Sequence, residues 1–126
     1  MKTERNINLY LLLVGCALVL LGCGKKVDEG KPMSEVKAEA EQMSVRELRA
    51  MAMRYKESIS AKMAELDEIM QKLKDIPVAE KLGTEATELT AEMKNLTKSL
   101  SALRERFQVY YGELKGKGGD VAGLEI

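Results

Sequence analysis

Residues 79–114, AEKLGTEATELTAEMKNLTKSLSALRERFQVYYGEL, decide the fold. Ala79, Leu82, Ala86, Leu89, Met93, Leu96, Leu100, Leu103, Phe107, Tyr110 and Leu114 recur at alternating steps of 3 and 4 without a slip. Unbroken heptads over this length are a specific signal for helix packed on helix, as in a coiled coil. The expected seam is Leu82, Leu89, Met93, Leu96, Leu100, Leu103, Phe107 and Tyr110, with Lys94, Asn95, Lys98 and Glu105 on the solvated face. Tyr111 reads as an exposed neighbour of the seam.

Upstream, Asp75-Ile76-Pro77 interrupts a second periodic stretch. The residue before a proline is driven towards extended geometry, and proline suits the first position of a new helix. A hairpin turn is therefore expected at 74–78, with Gly83-Thr84 as a second candidate for the break. The preceding helix runs to about Lys74 on a stripe of Val45, Leu48, Ala52, Tyr55, Ile59, Met63, Leu66, Met70 and Leu73, broadened by Met51, Met53 and Ile69. The doubled step of 4 around Ile59 resembles a stutter. At its start, Ser44 and Glu47 fit a capping box and Met43 with Leu48 a hydrophobic staple. Residues 34–42, with Val36, Ala40 and Met43 on one face, are then either a separate short helix or the first turns of a continuous one.

The expected fold is all-α, a long antiparallel helical hairpin or coiled coil over 34–114. Helices over 44–74 and 77–114 would be about 46 and 57 Å long and cross near 20°. Two helices bury one seam, so the Met-rich flank of the first needs cover from segment 34–42, a second copy or another helical protein. Two further segments read as irregular. Residues 24–33 form a tether with a reach of about 35 Å at most. Residues 115–126 form a flexible tail, because 112–126 hold five glycines and glycine is costly in helices.

The N-terminus has a different character. Lys2 and Arg5 precede an apolar run over 9–21, LYLLLVGCALVLL, which is signal-peptide sized and short of the roughly 20 residues of a spanning helix. It ends in Leu20-Leu21-Gly22-Cys23, which resembles the lipobox of bacterial lipoprotein precursors. The resemblance covers residues 1–23 and implies a signal peptide over 1–22. It also implies diacylglycerol and an amide-linked acyl chain (palmitate-type lipidation) on Cys23, and attachment to a membrane bilayer. Leu13-Val14-Gly15-Cys16 has the same local pattern, but choosing Cys16 leaves too short an apolar core. An uncleaved signal anchor is the other alternative. Gly24, rather than Asp, follows Cys23, which by the same resemblance favours the outer membrane of a two-membrane cell envelope.

Composition narrows the chemistry. The 20 basic and 20 acidic residues lose Lys2, Arg5 and Glu4 with the leader, leaving 18 and 19. A balance near −1 provides no basic footprint for nucleic acid. The chain has no histidine, hence no His-based general base, triad or metal site. Phosphate-loop and dinucleotide glycine motifs are absent, and no small-molecule substrate is indicated. The pairs Glu35/Glu39 and Glu88/Glu92 read as surface charge, since a helical di-iron site requires Glu-x-x-His. Neither an enzyme nor a cofactor is expected.

In plan the chain resembles the major murein lipoprotein, an acylated cysteine followed by a heptad-bearing helix. It departs from that family in its Pro77 break and in ending Leu124-Glu125-Ile126 rather than in lysine. The covalent wall link is therefore not carried over. The expectation is a lipid-anchored envelope protein acting as a structural or protein-interaction module. A small regulatory lipoprotein of inhibitor or exclusion type, binding one envelope protein, is the alternative.

Overall fold

The computed structural model describes residues 26–126, so the leader, Cys16 and Cys23 lie outside the described residues. The fold is all-α, and three helices follow in order: α1 (Met33–Gln42), α2 (Val45–Asp75) and α3 (Thr84–Gly116). No strand occurs among the described residues. Helices α2 and α3 form the antiparallel hairpin, and α1 packs on α3.

The break at 43–44 is real, and local chemistry makes it. Met43 and Ser44 are extended, and Ser44 closes a capping box. Its hydroxyl accepts from the Glu47 amide at 3.3 Å, while its own amide donates to the Glu47 carboxylate at 2.8 Å. This satisfies two of the orphan donors at the start of α2. Met43 and Leu48 are buried in one core, as a staple requires. Met33–Gln42 is therefore a separate helix.

The hairpin turn opens where Pro77 dictates but closes later than expected. α2 ends at Asp75, a single 3-10 turn covers Val78–Glu80, and α3 starts only after Gly83, whose backbone is extended. The Gly83 amide donates to the Glu80 carbonyl at 2.8 Å. Ala79 and Leu82 consequently precede the helix. Leu82 is 98% exposed and is not part of the seam, although its spacing matched.

The α2 stripe also differs from its expected course. Beyond Ile59 the positions turned towards α3 are Lys62, Leu66, Ile69, Leu73 and Ile76, of which Ile69 and Ile76 are buried and the others half-buried. Lys62 therefore takes the position expected of Met63, and the stutter vanishes into regular steps of 4 and 3. A lysine can do this by laying its aliphatic stem along the seam. Met63 and Met70 are left 43% and 41% exposed.

The molecule thus has a closed end and an open arm. At the closed end Leu48, Met51, Tyr55 and Ile59 of α2 meet Leu100, Leu103, Phe107, Tyr110 and Leu114 of α3, with Val36 and Ala40 of α1 on top. Tyr55 stacks on Tyr110, their ring centroids 5.3 Å apart, and Phe107 on Tyr111 at 5.6 Å. Tyr111 is therefore half-buried, a packing residue rather than an exposed neighbour.

The tail is ordered, contrary to the reading of its glycines. α3 ends in a Schellman motif: Gly118 is left-handed (φ 73°), the Gly119 amide bonds Leu114 O, and the Gly118 amide bonds Lys115 O. The chain then folds back. Lys117 Nζ donates to the carbonyls of Glu41 and Met43, tying the end of α1 to the tail. Arg49 donates to Asp120 O and Ala122 O, and Lys56 to Gly123 O. These bonds set Leu124 into the core with none of its surface exposed. Glycine here supplies left-handed turns and close approach rather than disorder.

Candidate functional site

Among the described residues, no group of histidine, cysteine, aspartate or glutamate is arranged to hold a metal ion, and no helix is long and apolar enough to cross a membrane. The features that remain are the path of the N-terminal segment and the two sides of the arm.

The expected tether is largely docked. Val27 is half-buried against the core. The Asp28 amide donates to the Tyr55 hydroxyl, which donates to Asp28 O, both at 3.3 Å. Glu29 accepts from the Ser99 hydroxyl and Lys31 pairs with Glu39. Arg106, 7% exposed, donates through Nη2 to Lys31 O and through Nη1 to Ala102 O. Its Nε and the Tyr110 hydroxyl are buried without a hydrogen bond of good geometry. Burial, with the Glu39 charge and Tyr55 nearby, pushes the Tyr110 hydroxyl well above the usual tyrosine pKa. The bond to Glu39 raises Lys31 in turn. These groups clasp the segment to the hairpin and carry no reactive arrangement.

On the seam of α3, Leu96, Leu100, Leu103, Phe107 and Tyr110 are buried, while Leu89 and Met93 are half-buried. The difference follows the layering, because α1 and the tail thicken the core only from about residue 100 onward. The arm has a single seam, and each side of that seam is a cleft. One, of about 400 Å³, is polar, bounded by Glu29, Lys62, Glu65, Lys72 and Glu92. The other, of about 520 Å³, is floored by Met63, Leu66 and Leu100 and rimmed by Asp67, Arg104 and Glu105. Arg104 donates to Met63 Sδ at 3.6 Å.

Sequence reasoning found Met63 and Met70 but placed them in the seam. The signal for their true position was Lys62-x-x-x-Leu66-x-x-Ile69, which continues the heptad more regularly. A comparison with protein-family models, with curated proteins and with solved structures finds no match to this chain.

Proposed function

We propose that this chain is a lipid-anchored, non-enzymatic helical interaction module of a bacterial envelope. It is held to the membrane through acylated Cys23 and presents the arm of its hairpin to another helical surface. The observation that carries the interaction half is the arm itself. Its helices bury one seam, and Met63 and Met70 stay exposed on a face whose equivalent at the closed end is covered. Interfaces are enriched in methionine, which adapts to what it meets.

The anchor half rests on the lipobox-like Leu20-Leu21-Gly22-Cys23. Three acyl chains hold a protein stably where one does not. Lys26 lies three residue steps beyond Cys23, a reach of about 11 Å, so docking of the segment beyond Lys26 keeps the hairpin close to the bilayer. Labelled fatty acid tests this directly. Cys23→Ser abolishes incorporation and Cys16→Ser leaves it intact. Labelling that survives Cys23→Ser refutes the assignment.

A further inference from the structure

The apolar face of the arm carries its own complement. Met63, Asp67, Met70 and Lys74 follow at steps of 4, 3 and 4, one stripe of α2 beside the buried seam. The helix ends at Asp75, so the stripe reads apolar, negative, apolar, positive.

We infer that this face is covered by the same face of a second copy, running antiparallel about a twofold axis at Met70. Such an axis sets Met70 against Met70 of the second copy and Asp67 against its Lys74, with Met63 at the edge of the paired stretch. Each off-axis pair occurs twice, as in any isologous interface. A parallel pairing in register would instead oppose Asp67 to Asp67 and Lys74 to Lys74. An unrelated helix would need an independently matched pattern, whereas antiparallel self-pairing satisfies Asp67, Met70 and Lys74 with residues already in the chain. It also closes two two-helix arms into a four-helix bundle, the usual way such a seam is completed.

From Met63 to Lys74 the stripe is about 17 Å long. An antiparallel pair of such stripes buries less than about 1,200 Å² in total, the size of weak, transient interfaces. Pairing of this size is weak in free solution and strengthened when both copies share a membrane, where anchoring raises their effective concentration. That last point rests on the lipid-anchor reading; the pairing geometry does not.

Single cysteines in the full chain, expressed in its membrane and oxidised mildly, test the inference. Met70→Cys on the axis gives disulfide-linked dimers well above the background set by Glu65→Cys, which lines the opposite cleft. Met63→Cys alone does not, because its symmetry mate lies about 21 Å away along the helix. In the Met70→Cys background, Asp67→Lys weakens dimer formation by about tenfold, as expected for two exposed pairs turned repulsive, and adding Lys74→Asp restores it. Dimers from Met63→Cys alone as abundant as those from Met70→Cys would mean parallel pairing and overturn the inference. So would Met70→Cys that stays at background or links only to other proteins. Fatty-acid labelling of the same samples reports the anchor separately, so failure of anchoring is not mistaken for failure of pairing.

Discussion

Truncating Leu124 to alanine tests whether the glycine-rich tail is structure or appendage. Its side chain is fully buried, and full burial of a leucine contributes about 1.5–3 kcal/mol, before any cost of the cavity left behind. The tail is peripheral and can lift off without unfolding the hairpin, so the loss is capped by its own docking free energy. About 2 kcal/mol is the working figure, which raises the population of the lifted tail about 30-fold. Trypsin cleavage after Lys117 reads that population, because the Lys117 ammonium is engaged by Glu41 O and Met43 O only while the tail is down. Where reclosing is fast, cleavage tracks the open fraction, so Leu124→Ala is cut about 30-fold faster than the parent. Gly119→Ala acts the same way by a different route. Its Cβ would lie 2.2 Å from Leu114 Cδ1 and 2.8 Å from Val45 Cγ1, and Leu114 is fully buried with little room to yield, so about 1–3 kcal/mol is lost. Equal cleavage of parent and both variants, at the rate of a free peptide of residues 115–126, would refute the docked tail.

Two further outcomes separate this structure from a uniform coiled coil. Leu100→Lys, which puts a charge into the floor of the core, destabilises by several kcal/mol, while Leu82→Lys at the exposed turn stays within about 0.5 kcal/mol; thermal melts followed by circular dichroism distinguish them, and equal losses would restore Leu82 to the seam. Tyr110→Phe is neutral to slightly stabilising at neutral pH, because the buried hydroxyl lacks a good hydrogen bond. Its folded-state pKa lies above the unfolded value, so above about pH 10 the unfolded chain releases a proton that the folded chain keeps, and stability falls as pH rises. Denaturant melts of Tyr110→Phe therefore show a shallower decline above pH 10, over and above the decline both proteins share from Lys31; parallel declines would count against burial of the hydroxyl.

What was legible in the sequence was local. The capping box at Ser44 and Glu47, the Pro77 break and the heptads from Ala86 to Leu114 depend on neighbours within a turn or two, and each stands where its residues put it. What was hidden is tertiary. Arg49 and Lys56 lie on the helix before the turn and Lys117 in the glycine-rich tail, and nothing within a few residues of them shows that backbone carbonyls some 70 positions away would come to meet them. Glycines at 118, 119 and 123 raise the entropy cost of order, and that cost is outweighed only by partners the local pattern does not display. Lys62 misled for a related reason. The residue is half-buried although charged, so a hydropathy pattern passes over it to Met63 and misplaces the stripe for the rest of α2. Leu82 had the right step but lay upstream of Gly83, where the helix had not begun. Cys23 is legible by resemblance, and its chemistry lies outside the described residues.

One end of the hairpin is closed by α1 and the tail, while the arm keeps a single seam with Met63 and Met70 exposed, the face that the proposed pairing covers. Hydrogen exchange along the full chain, diluted in detergent micelles to one chain per micelle, tests this most directly. Slow exchange is expected at 48–59 and 100–114 and at the Leu124 amide, which bonds Val121 O at 3.2 Å. Exchange several orders of magnitude faster is expected across 76–90, where stability comes from one seam alone. Returning the protein to membranes at high density should slow the arm and leave the closed end unchanged. Protection that is uniform along both helices, or an arm indifferent to crowding in the membrane, would contradict the account.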